Sequence, residues 1–505
     1  MITKPKKTLE MKRIDLSIGI LLAVLALFSS CDSLLDKEPI DELTEAEFWQ
    51  TEADVNASLI TCYVDLKSCM EEIMTWSMSR ADIVNPNKNI KNSNEIETGI
   101  ILPQFEITKW SDFYKMINDA NFVIKFAPQV VDIDADYTEK DLQESLSEAY
   151  TLRAMAYFQL VKAFGEVPLI LEPSESDNVE FYYEKSSEDA ILSQIEQDLE
   201  YAGTNGKKEW GTVEETKGRF TRDASNSLLA DVYLWHNKYQ EAVTAVDRVI
   251  TTGKYELLPW EEWWTIFRWD GGNTDESIME LQYSLENREY SFHRNWFSPY
   301  GYRVLSNYQI MDVLLPAIDP RRPYTIGGVR GDAPWKYIGL ELNSGNYITS
   351  NQHPNWVFYR LPTLMYIKAE ALNRMRTGEN DDQLLLQVNQ ILTEISERSG
   401  GIYTPATSND VGAVEEKILE EKVKEMAYEG YRWYDLVRVG RRQVEEGVLI
   451  EDNILVRSVI DAQPESKREY VKGNILNPLS WFLPINEGEL LRNPNLVQNP
   501  YYENL

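Results

Sequence analysis

The stretch that decides the fold is Ala230-Asp-Val-Tyr233, followed after a short break by Tyr239-Gln-Glu-Ala242-Val-Thr-Ala-Val246. Its small and apolar residues recur every three to four positions, the period of an amphipathic helix. Small side chains at Ala230, Ala242 and Ala245 let two helices approach, while Tyr233 and Tyr239 fill the gap beside them. That alternation fits the tetratricopeptide pattern, a helix pair that buries its apolar face by stacking on neighbours. Ala149–Phe164, with Arg153, Ala156, Tyr157 and Leu160, has the same texture, as does Thr363–Arg376 with Ala369, Ala371 and Leu372. These segments predict stacked helical pairs without a strict tandem spacing.

Outward from them the helical period dominates. Helices are predicted near 110–127, 138–164, 187–202, 221–237, 239–252, 361–377, 381–398 and 413–445. Thr44-Glu-Ala-Glu47 has the capping-box form, ahead of an apolar run through Phe48, Trp49, Val55, Leu59 and Tyr63. Between 80 and 106 the chain turns polar and Asn-rich (Asn85, Asn87, Asn89, Asn92, Asn94), which reads as a loop or an elaborated surface segment. Residues 253–356 are the least helical, with Gly, Pro, aromatics and short strand-like runs such as Ser277–Tyr283. From about 446 onward Pro464, Pro478, Pro484, Pro494 and Pro500 predict a second irregular stretch.

At the other end, Lys12-Arg13 precedes the apolar run Ile18–Phe28, and Ser29-Ser30-Cys31 follows it. Basic, apolar, small and then cysteine is the order of a secretory signal over 1–30 whose cleavage exposes a thiol for acylation. The apolar run is shorter than the roughly 20 residues a membrane-spanning helix needs. Met11 reads as a cleaner start than Met1, so the first ten residues need not belong to the signal. Removing this leader, which carries a net +3, from a chain of formal charge −32 leaves about −35. Such a surface disfavours nucleic acid, whose binding rests on Lys and Arg meeting phosphates. It also makes acyl chains, not charge, the route to a membrane. The remaining cysteines, Cys62 and Cys69, are seven apart in a predicted helix. That is roughly 10.5 Å along the axis, too far for a disulfide, so both are expected to be buried packing residues.

Catalytic and metal motifs give mostly absences: no GxSxG, HExxH, Walker loop, GxGxxG or Cys/His ligand spacing. Neither a cofactor nor a metal is expected. His236, His293 and His353 are scattered, and His236 reads as a surface or capping residue at a helix end. The positive signal is aromatic, with twelve Trp, Tyr and Phe residues between 260 and 302. Aromatic faces stack on the C–H faces of sugar rings while amides and charged groups bond the hydroxyls at the ring edge. Trp263, Trp264 and Phe267 have helical spacing and read as core. Trp269, Trp296, Tyr300, Tyr302 and Trp335 stand beside Gly, Pro or polar residues and are candidate ligand contacts.

Several segments together resemble one family, the SusD/RagB outer-membrane nutrient-binding lipoproteins. The opening Cys31-Asp-Ser-Leu-Leu-Asp36 with Pro39 and Phe48-Trp49 is similar to that family's start. Glu148–Phe158, continuing to Phe164-Gly-Glu-Val-Pro-Leu-Ile170, resembles its central motif. Arg219–Tyr239, Met365–Asn373, Glu420–Gly440 and the tail from Leu483 to Pro500 follow in the expected order. Pro362 stands where the family usually has Ala, a change that a first helical turn tolerates.

The resemblance implies a mainly α fold: a helical bundle with four tetratricopeptide-like pairs and an irregular, aromatic-rich ligand-binding region with short strands. It further implies one domain over 31–505, with scaffold at about 40–252 and 357–445, ligand region at about 253–356 and an irregular C-terminal region at 446–505. Members of the family sit on the outer membrane facing the cell exterior, anchored by lipid, here on Cys31. They cap a SusC-like TonB-dependent transporter and trap glycans, or peptides in some relatives, before import. By position the family's binding loops fall here on Arg80, Asp82, Asn85 and Asn87, and on the aromatics around 269–302 and 335. The leading expectation is a non-enzymatic glycan-binding lipoprotein. Its alternatives are a peptide binder of the same architecture and a lipid-anchored glycoside hydrolase.

Overall fold

A computed structural model describes residues 48–503 apart from 175–181, 285, 287–288, 299–301, 329–331, 342–344 and 379–380. The signal segment, Cys31 and the Thr44–Glu47 capping box lie outside the described residues, as does Tyr300. Residues 51–505 form one unit.

That unit is built on helices α1 (Glu52–Ser68), α2 (Met70–Met78), α3 (Ser111–Val130), α4 (Glu139–Phe164), α5 (Glu188–Asn205), α6 (Arg222–Trp235) and α7 (Tyr239–Ile250). Beyond the irregular middle come α8 (Leu361–Arg374), α9 (Asp381–Arg398), α10 (Val411–Met426), α11 (Arg432–Glu445), α12 (Ile454–Asp461) and α13 (Glu465–Ile475). Their starts are written in the sequence. Thr51 with Asp54, and Thr138 with Asp141, form reciprocal capping boxes, and Ser187 and Thr221 each accept a backbone N–H of the first turn. Pro362 lies in the first turn of α8, where its missing N–H costs nothing.

The helices stack in series, α1 on α3, α3 on α4, α4 on α5, α5 on α6, α6 on α7, α7 on α8 and α8 on α9. Four pairs thus share one continuous core, and the three segments singled out above are α4, the α6–α7 pair and α8. Ala149, Ala154, Ala156, Ala224, Ala230, Ala242, Ala369 and Ala371 are buried where helices cross closely. Arg153, itself buried, bonds Asp198 of α5 in a two-pronged pair (2.8 and 2.8 Å) and Asn121 of α3 (2.8 Å), tying three helices together. Cys62 and Cys69 are free and buried, as expected, and His236 is the C-cap of α6.

Two expectations change. The predicted helix 413–445 breaks between α10 and α11, where Tyr428 (φ 65°) and Gly430 (φ 83°) turn left-handed. The break swings Glu429 into a buried ion pair with Arg360 and Lys336, a partner a continuous helix would not reach. The stretch after 446 is also more helical than its prolines suggest. Pro464 sits at the N-cap of α13, outside the hydrogen-bonded helix, and so separates α12 from α13 instead of breaking either.

The irregular middle holds short antiparallel strand pairs. β1 (Val84–Pro86) pairs β3 (Val304–Ser306), β2 (Ser277–Leu281) pairs β6 (Trp356–Arg360), and β4 (Ile326–Gly327) pairs β5 (Ala333–Pro334). β2 lies within the predicted Ser277–Tyr283 run and is buried along its length, as is β6. Arg360 ends β6 and N-caps α8, so the irregular region feeds directly into the scaffold.

Candidate functional site

The β1–β3 pair joins segments more than 200 positions apart. Val84 faces Ser306, Asn85 faces Leu305 and Pro86 faces Val304. The zipper continues past the strands: the Asn87 amide donates to the Arg303 carbonyl (2.7 Å), and Asn89 Nδ2 to the Tyr302 carbonyl (2.9 Å). From below, the Tyr428 hydroxyl meets Ser306 Oγ (2.6 Å) and Asn307 Nδ2 donates to the Ala462 carbonyl (3.0 Å). Arg303 pairs with Glu71 of α2 and lies 5.5 Å from the Trp296 ring. The Asn-rich loop and the aromatic middle, read separately in the sequence, therefore share one edge.

The edge extends into a row of rings and amides. Glu289 pairs with Lys67 (2.7 Å), whose ammonium lies 5.4 Å from the Tyr283 ring centre. The Tyr283 amide donates to Asn355 Oδ1 (3.2 Å), and Asn355 Nδ2 donates to Gln282 (2.9 Å) and Glu280 (2.9 Å). Gln282 and Asn273 exchange amide bonds at 2.7 and 3.1 Å. Tyr290 is 66% exposed with its ring 5.3 Å from His353, and Trp269 is 40% exposed beside a two-pronged Arg268–Asp270 pair (2.8 and 2.8 Å). Exposed flat rings set among oriented amides match the two faces of a sugar, apolar C–H surface and hydroxyl rim. Among the described residues no group of three His, Cys, Asp or Glu side chains is arranged to hold a metal ion.

The residues singled out in the sequence divide. Asn85, Asn87 and Tyr302 come together on the β1–β3 edge, and Trp269 is exposed ahead of the Gly271-Gly272 turn leading to Asn273. Trp296 and Trp335 do not belong to the surface: they are 1% and 0% exposed. The Trp335 ring occupies space left by two glycines, since a Cβ on Gly327 or Gly339 would lie 2.4 or 2.1 Å from it. Arg80 and Asp82 are corrected as well, because their polar groups are spent inside the fold. Arg80 donates to the Trp481 and Ser480 carbonyls (2.8 and 2.9 Å) and stacks over Trp433 at 4.1 Å, and burial pushes its pKa down to about 10. Asp82 holds Arg432 of α11 at 2.9 and 2.7 Å.

Sequence reasoning passed over Lys67, Glu71, Asn89, Gln282, Tyr283, Tyr290, Arg303 and His353 as site residues. Tyr283 and Tyr290 belonged to the aromatic concentration and Asn89 to the Asn-rich loop, so a signal existed for these three. Lys67 and Glu71 sit on ordinary helices, and their place emerges only through tertiary contacts. Beside Glu71, burial pushes the Glu72 carboxyl up to about 7. A cavity of about 620 Å³ lies on the scaffold between Ile250, Met365 and Ile391 and does not touch the row.

Residues 255–502 match the SusD family, and residues 34–234 match a family described as starch-binding associating with outer membrane. The chain is similar to SusD-like protein P38 of Formosa agariphila, 26% identical over 478 residues that cover 86% of this chain and 92% of that one. Its fold is similar to that of a SusD superfamily protein from Bacteroides vulgatus (TM-score 0.73, 19% identity, covering 90% of this chain and 99% of the other). It is similar also to the fold of a laminarin-binding SusD-like protein (TM-score 0.66, 22% identity, 90% and 100%).

Proposed function

The chain belongs to the SusD/RagB family, and from that premise we propose that it captures a glycan on the cell surface and passes it to a partner transporter. The observation that carries this reading is the β1–β3 junction, which sets the Asn-rich loop against the Tyr302–Ser306 segment of the aromatic middle. Trp269 and Tyr290 offer rings for stacking, Tyr302 stands at the junction, and Asn85, Asn87 and the Asn273–Gln282–Asn355 amides offer hydroxyl partners. Catalysis is not part of the reading: it needs no nucleophile, metal or carboxylate pair. Acyl chains on Cys31 tether the mature domain to the outer membrane, facing outward, beside a SusC-like TonB-dependent barrel. The domain comprises 31–505, with the scaffold holding the face in place.

Affinity gels containing candidate glycans test the proposal. Retardation without new reducing ends supports capture; steady release of new ends supports a hydrolase instead, and retention of peptides with no glycan supports the peptide-binding alternative. Cys31→Ala releases the protein from the membrane fraction, and persistence there in cells lacking the transporter contradicts the tether.

A further inference from the structure

Among the described residues, Arg294 has no ion-pair partner. The chain holds 82 Asp and Glu against 50 Lys and Arg, so a carboxylate is seldom far from a basic group. The neighbouring cations follow that expectation: Lys67 is paired with Glu289, Arg303 with Glu71 and Arg268 with Asp270. The Arg294 side chain has no hydrogen bond, ion pair or ring contact among the described residues, and its Nε is closed off from solvent unsatisfied. The residue as a whole remains partly open.

A second leftover group lies one turn away. The Ser298 amide bonds the Arg294 carbonyl (3.1 Å), so the two side chains stand four apart on one face of the short helix His293–Phe297 and its cap. Ser298 Oγ is also buried and unpartnered. The Ser298 carbonyl in turn receives the Tyr302 amide (2.9 Å), which places the pair immediately before the β1–β3 edge. A buried polar atom without a partner costs stability, because the water it gave up is not replaced. Arg294, partly open, therefore carries donors next to the candidate face with no receiver among the described residues, above a Ser298 hydroxyl that is itself enclosed.

We propose that the captured glycan is acidic, and that Arg294 receives a carboxylate or sulfate of the sugar. This rests on the glycan-capture reading and deepens it. A guanidinium presents fixed parallel donors that match a carboxylate or sulfate, and such charge-assisted bonds are about twice as strong as those to a neutral hydroxyl. The net negative charge of the protein opposes a polyanion only at long range, where salt screens it within about 8 Å. Contact with Arg294 is made well inside that distance, so the local attraction wins.

The test uses affinity gels of polygalacturonate, alginate and chondroitin sulfate, each beside its carboxyl-reduced or desulfated form, with laminarin and mannan as neutral glycans. The mature protein and Arg294→Gln are run at low and high salt. At least one acidic polymer is expected to retain the protein at least tenfold more strongly than its charge-free form. Arg294→Gln removes that difference, keeps the wild-type melting temperature and leaves the salt dependence flat. Arg294→Lys, which restores charge without the fork, recovers part of it. Retention by neutral glycans alone, or wild-type retention by Arg294→Gln, overturns the inference while glycan capture stands. Retention of peptides and no glycan overturns both.

Discussion

The molecule places charge in two opposite ways. Behind the irregular region, Arg360 binds Glu429 (2.8 Å), Glu276 (2.7 Å) and Glu425 (2.8 Å), Arg398 bonds Glu276 (2.6 Å) and Glu425 (2.7 Å), and Lys336 bonds Glu429 (2.8 Å). Three cations meet three carboxylates there, and no side chain among them is more than 7% exposed. Arg398 and Arg360 hold Glu425 down to about 2 against its burial. Across the β1–β3 edge, by contrast, rings and amides are partly exposed and Arg294 has no counter-charge among the described residues. Such a closed knot stabilises its region only as a complete set, because removing one member strands the others in low dielectric. An open row tolerates single losses in stability and expresses them as binding. The knot ties Glu276, just ahead of β2, and Arg360, at the end of β6, to Arg398 of α9 and Glu425 of α10.

The comparison is broken most forcefully at the knot. Arg360→Met leaves Glu276, Glu425 and Glu429 short of a partner and is expected to lower stability by about 3–5 kcal/mol, measured by urea unfolding. A loss below about 1 kcal/mol would mean that the knot does not hold the irregular region. Trp335→Ala follows closely: emptying the space between Gly327 and Gly339 costs about 3–5 kcal/mol, with an early drop in melting temperature. If Trp335→Ala instead keeps its melting temperature and loses only ligand, Trp335 returns to the surface.

Glu72, beneath the row, gives a smaller and pH-dependent effect. Its folded carboxyl keeps its proton up to about pH 7 against an ordinary 4.5, so the folded protein binds more protons than the unfolded chain between those values. Stability contributed there is present below about pH 4.5 and is lost as pH rises through about 7. Glu72→Gln should therefore raise stability by roughly 1–3 kcal/mol at pH 8 and change little at pH 5, read as paired thermal melts. The smallest effect on stability belongs to Trp269→Ala, which is expected to leave the melting temperature within about a degree while weakening glycan retention several-fold. A collapse of the fold would mean that Trp269 is a packing residue.

Much of the scaffold is legible in the sequence because its causes are local. Thr138 with Asp141, Ser187 and Thr221 announce helix starts, and the alanines of α4, α6 and α8 announce close crossings. The break at Tyr428 and Gly430 is not legible in the same way, since its reason is a charge 69 positions away, Arg360 awaiting Glu429. The candidate face is half legible. Composition marks the Asn-rich loop and the aromatic middle, but their union depends on a three-residue strand pair with no periodicity to detect. Composition also cannot separate Trp269 from Trp335, because the glycines that bury Trp335 carry no sign of which ring they admit.

The central claim is that the β1–β3 edge captures the glycan, and the double variant Asn87→Ala/Tyr302→Ala tests it most directly. Isothermal titration with a glycan retained by the wild-type protein, paired with a thermal melt, supplies both readings. Losing a ring contact and hydrogen bonds at about 0.5–1.5 kcal/mol each predicts at least tenfold weaker binding with a melting temperature within about 2 °C of wild type. Unchanged affinity, or affinity lost only together with the fold, contradicts the account.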